Sequence, residues 1–73
     1  MKQSFYLYVL KYRGGGKKDK KSLFAETMFN QHDFPKAETS FDALSKYIEE
    51  LAHPDMSATV FDELWESYYE AVR

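Results

Sequence analysis

Seventy-three residues without a cysteine make one domain that must hold itself together by packing, with no disulfide, thiolate metal site or thiol chemistry. The longest apolar run, Phe5 to Leu10, is too short to span a bilayer or to form a signal-peptide core, so a cytoplasmic chain without a membrane partner is expected. The net charge is −2, yet residues 1–36 hold eight Lys/Arg against three Asp/Glu, a balance of +5, while residues 37–73 hold two against nine, a balance of −7.

Ser4 is placed to cap a first helix running to about Arg13. Phe5, Tyr8, Val9 and Tyr12 share one helical face, and Leu7 and Leu10 make the segment apolar nearly all round, as in a helix central to its fold. A strand is the rival reading, because aromatic and β-branched residues favour strands, but no other segment looks like its partner. Gly14-Gly15-Gly16 breaks the chain and opens a basic, flexible stretch to Lys21.

A second helix is expected from about Asp19 to His32, with Phe24, Ala25, Met28, Phe29 and His32 on one face. It should end near Asp33, because Pro35 biases Phe34 away from helical angles. Ser40 caps a third helix whose stripe is Phe41, Leu44, Ile48, Leu51 and Ala52, and Pro54 stops it. Ser57 caps a fourth helix. Its apolar face is Val60, Phe61, Leu64, Trp65, Tyr68 and Val72, and Asp62, Glu63, Glu66 and Glu70 lie opposite. Four short amphipathic helices around one core make an all-α bundle, with residues 1–73 as its single domain.

Each chemistry that the residues suggest lacks a required part. The carboxylates of the fourth helix sit on one straight face and cannot wrap a calcium ion, nor do they flank a cleft as a glycosidase pair must. His32 and His53 show no metal-ligand spacing, and structural roles are expected for both; His32 falls at a helix C-terminus, where a cation is favoured. Gly14-Gly15-Gly16-Lys17-Lys18 lacks the Walker spacing and the strand before it. No catalytic, cofactor-binding or metal residue is expected, and no cofactor. Two surfaces remain: a basic one of Lys11, Arg13, Lys17, Lys18, Lys20 and Lys21, and an acidic one of Asp62, Glu63, Glu66 and Glu70. Tyr6, Leu7, Leu10 and Tyr69 fall outside the main stripes, and an exposed patch there would mark a partner site.

Several segments, in order along nearly the whole chain, resemble the YozE-like family of short bacterial proteins. They are Ser4-Phe5-Tyr6 with Leu10-Lys11-Tyr12-Arg13, Phe34-Pro35-Lys36, Tyr47-Ile48-Glu49, and Met56 to Trp65 with Tyr68. The resemblance implies a sterile-alpha-motif-like helical fold and no particular activity. The expectation is a non-catalytic module that binds a protein, as a monomer or with weak self-association in which the basic segment of one copy meets the acidic helix of another. The alternative is nucleic-acid binding through the basic segment 11–21, with a steep dependence on salt.

Overall fold

Ser4 opens the chain's first helix, α1 (Phe5–Leu10), its Oγ accepting the Leu7 N–H at 3.3 Å. The computed structural model describes residues 3–15 and 19–72. After Leu10 the chain continues in tight turns, Tyr12 and Arg13 donating to the carbonyls of Val9 and Leu10. Gly14 then takes φ +89°, a conformation that side chains rarely tolerate. The Gly15 N–H donates to Ser22 Oγ at 2.9 Å, which ties the loop to the next helix and satisfies a hydroxyl that is buried.

Asp19 caps α2 (Lys20–Phe29), its Oδ1 accepting from the N–H groups of Lys21 and Ser22. The helix ends at Phe29, earlier than its apolar spacing predicts. The Asn30 side chain takes the Glu26 carbonyl at 3.0 Å and competes with the backbone there. The chain then turns back through Gln31 to bury Phe34. His32 therefore lies in an exposed turn, not on the helix.

Ser40 caps α3 (Phe41–Leu51) by accepting the Ala43 N–H at 3.4 Å. Ala52 does not extend the apolar stripe. It is the C-cap, exposed and left-handed at φ 51°. His53 Nδ1 accepts the Asp55 N–H at 3.1 Å and the Met56 N–H returns to the His53 carbonyl, so this histidine has the structural role expected of it. Ser57 then caps α4 (Ala58–Val72) through the Val60 N–H at 3.3 Å. Each such side-chain cap contributes about 1 kcal/mol.

The four helices form an all-α bundle, with no strand among the described residues. α1 packs on α2 and α4, α2 packs on α4, and α3 packs on α4. Phe5 stands at the centre, fully buried, with the rings of Phe24, Phe61, Trp65 and Tyr68 5.3–6.4 Å from its own. Tyr68 closes the bundle, its hydroxyl donating to the Gln3 carbonyl at 2.7 Å. Burial raises its pKa above the ordinary tyrosine value. Two core residues come from turns: Phe34, between the rings of Tyr6 and Tyr47, and Met56. Tyr6, which the helical stripes leave out, is buried by this contact.

Tyr47 donates its hydroxyl proton to Asp33 Oδ1 at 2.8 Å. Burial, and then the neighbouring carboxylate, push its pKa up to about 12. Ionising it would remove the donor and set two negative charges side by side. The folded pKa is raised, so this contribution to stability is complete below about pH 10 and is lost as the pH rises from about 10 to about 12. In an alkaline absorbance titration, Tyr47→Phe should lose the late-titrating tyrosine near pH 12 that the wild type shows. All tyrosines ionising together in the ordinary range, with the helical circular dichroism intact, would contradict this.

Candidate interaction surfaces

Folding turns three residues of the basic segment, Lys11, Arg13 and Lys21, in upon the domain's own rings. The Lys11 ammonium sits 3.9 Å from the centroid of Tyr8 and 5.6 Å from that of Tyr12. Lys21 also approaches this pair, 5.8 Å from Tyr12. The Arg13 guanidinium covers the Phe29 ring at 3.8 Å, and its Nε donates to Glu26 Oε1 at 2.8 Å. This explains the fate of Phe29, which its spacing assigns to the core: it is 45% exposed and serves as the platform for Arg13. Lys17 and Lys18 lie outside the described residues.

The two tyrosine hydroxyls lie 3.5 Å apart. Their mutual hydrogen bond lowers the pKa of Tyr8, against its burial and with help from Lys11, and raises that of Tyr12, with burial acting the same way.

Lys20 lies elsewhere, lining a cleft of about 440 Å³. Leu23, Pro54 and Val60 give this cleft apolar walls, and Asp55 and Glu63 bring carboxylates to it. A residue of the basic segment and a residue of the acidic helix thus meet in one cleft. The two oppositely charged parts of the sequence come together here because α2 packs directly on α4.

Asp62, Glu63, Glu66 and Glu70 are all exposed on α4. Among the described residues none of Asp62, Glu63 and Glu66 has an ion-pair partner. At about 100° per residue, Tyr69 falls next to Asp62 around the helix, with Trp65 on one side of the two and Glu66 on the other. Tyr69 lies among them, 52% exposed, and Trp65 is half-buried one turn before it. Phe41 of α3 stacks on Phe61 at 5.5 Å and meets Trp65 edge-on at 5.4 Å, and it stays 39% exposed. Phe41 and Trp65, in contact, and Tyr69, one turn further along α4, therefore line the acidic face as an aromatic ridge. The signal for it is present in the sequence as the i, i+4 pair Trp65 and Tyr69; the contribution of Phe41 needs the tertiary contact.

Of the residues outside the helical stripes, Leu7 is exposed and Leu10 packs on the core. Leu7 borders a second, shallower groove of about 400 Å³ with Tyr6 and Lys36. Among the described residues, no group of three or more His, Cys, Asp or Glu side chains could hold a metal ion. No helix there is long and apolar enough to cross a membrane.

Comparison with known proteins agrees with this architecture. The family described as the YozE SAM-like fold matches residues 4–70. The UPF0346 protein YozE of Bacillus subtilis is 40% identical over 70 residues, covering 96% of this chain and 95% of that protein. A UPF0346 protein of Bacillus licheniformis is 46% identical over 66 residues, 90% of each chain. One of Staphylococcus saprophyticus is 46% identical over 67 residues, 92% of this chain and 89% of its own.

Proposed function

The chain belongs to the YozE family of small proteins with a SAM-like fold, and we propose that this member works by binding a basic segment of another protein on the outer face of α4. The observation that supports this reading is the meeting of unpaired carboxylates with exposed aromatic rings. Asp62 and Glu66 have no ion-pair partner among the described residues, and Phe41, Trp65 and Tyr69 run beside them. Aromatic faces attract lysine and arginine, and carboxylates pair with the same groups. Trp and Tyr are also the residue types that dominate binding energies in protein interfaces.

The basic segment makes a poorer binding surface. A phosphate approaching Arg13 would have to displace Glu26, and the ring that a base could stack on, Phe29, is already covered by Arg13. Self-association of basic segment on acidic helix meets the same obstacle at Arg13.

The reading is tested by NMR titration of the labelled protein with a short Arg/Lys-rich peptide, an Asp/Glu-rich peptide and a single-stranded oligonucleotide. The basic peptide should shift the amides of Asp62, Glu66 and Tyr69 and change the fluorescence of Trp65, the single tryptophan. Salt should weaken the effect, because exposed charges are screened. Shifts around Lys11 and Lys21 with the oligonucleotide, and none on α4 with the basic peptide, would replace this reading with nucleic-acid binding.

A further inference from the structure

The carboxylates of α4 are not confined to its outer face, because Glu63 also reaches the cleft between α2 and α4. At about 100° per residue, Trp65 and Tyr69 lie on one flank of the helix, Asp62 and Glu66 lie in the middle, and Val60 and Glu63 lie on the opposite flank. A segment crossing α4 from the aromatic ridge therefore arrives at the cleft. With side chains a helix is about 10–12 Å across, and an extended chain advances about 3.3 Å per residue. Crossing takes only three or four residues, so one short basic segment reaches both flanks.

We propose that this cleft is the anchor pocket for one arginine side chain of the bound segment, an inference that rests on the proposed binding to α4. Its walls suit the two parts of such a side chain. Leu23, Pro54 and Val60 offer apolar surface to the methylene stem, which long cationic side chains bury readily. Asp55 and Glu63 offer carboxylates to the head, and a planar guanidinium can bond two of them with its fork of donors. Asp55 and Glu63 have no ion-pair partner among the described residues. A volume of about 440 Å³ lies within the range of pockets that take small ligands.

Two features oppose a cation here. The first turns of α2 and α4 both line the cleft, beside Lys20 and Asp55, and bring the positive ends of two helix dipoles to it, but that influence fades within the first turn, and Glu63 stands beyond the first turn of α4. Lys20 places an ammonium on the α2 wall. That residue competes with the incoming head for the same carboxylates, and this competition supplies a test of sign.

An eight-residue Gly-Arg repeat, and the same peptide with citrulline for arginine, are titrated into the labelled protein and its variants. The arginine peptide should shift Lys20, Leu23 and Thr59 together with Asp62, Glu66 and Tyr69, and the neutral isostere should shift neither set. Glu63→Gln should weaken binding by about tenfold, the size of effect expected of an anchor contact. Lys20→Met should strengthen binding several-fold. Lys11→Met removes the same charge away from the cleft and should change affinity less than about twofold, as exposed charges at a distance are screened. Shifts on Asp62, Glu66 and Tyr69 with none in the cleft, or equal effects of Lys20→Met and Lys11→Met, overturn the anchor pocket and leave the α4 reading standing. No shift in either set overturns both. All three substitutions are at solvent-exposed positions, so circular dichroism should match the wild type.

Discussion

Phe5→Ala is expected to leave the chain largely unfolded at room temperature. The Phe5 side chain is fully buried, and four aromatic rings from α2 and α4 pack around it. Truncating a buried Phe costs about 3–5 kcal/mol, because the removed ring leaves a cavity that its neighbours fill only in part. A domain of 73 residues has about 4–11 kcal/mol to lose at roughly 0.05–0.15 kcal/mol per residue, and small single cores fall at the low end. The loss and the reserve are therefore of one size. Far-UV circular dichroism and urea titration measure the outcome. A cooperative melt with a midpoint close to the wild type would show that Phe5 is not the keystone its contacts make it.

The helices are legible because serines announce three of them. Ser4, Ser40 and Ser57 each stand before an apolar repeat, and each accepts a backbone N–H in the structure. Core residues inside those repeats are legible for the same reason. Phe34 and Met56 are not, since both lie in turns, where no helical period marks a side chain as inward. Both do occur in the segments that carry the family resemblance, and burial gives those segments a physical reason: each pins a connection between helices to the core. Phe29 fails the opposite way. Its spacing is that of a core residue, but its partner is a cation from the preceding turn, which hydrophobic periodicity cannot register.

The candidate surfaces divide along similar lines. Acidic residues at helical spacing on α4 are readable one helix at a time. The cleft that Lys20 and Glu63 both line, and the ridge that Phe41 completes, depend on which helices pack together. The basic segment reads as an open positive surface because charge in a sequence carries no record of its partners. In the fold, Lys11, Arg13 and Lys21 lie against Tyr8, Phe29 and Tyr12.

Phe34→Ala should be nearly as damaging as Phe5→Ala, with a different signature. Phe34 is 4% exposed and is held between Tyr6 of α1, at 5.6 Å, and Tyr47 of α3, at 5.1 Å and nearly perpendicular. Among the described helices α3 packs only on α4, so this ring is its additional hold on the rest of the bundle. A loss of about 3 kcal/mol, the lower end for a buried Phe, lowers the melting temperature of a domain this size by roughly 12–24 °C. Below that temperature the damage should be local. Amides of α3 should exchange faster than those of α1 and α4, because the truncation removes contacts of α3 while Phe5 and its rings are untouched. Tyr47 reports the same event chemically. Burial is the leading cause of its raised pKa, so opening the Phe34 side should bring that value down from about 12 toward 10. Phe34→Leu, which keeps most of the volume, should cost less and leave Tyr47 titrating late. A melting temperature within about 5 °C of the wild type, or an unchanged Tyr47 titration in Phe34→Ala, would mean that α3 is held by α4 alone.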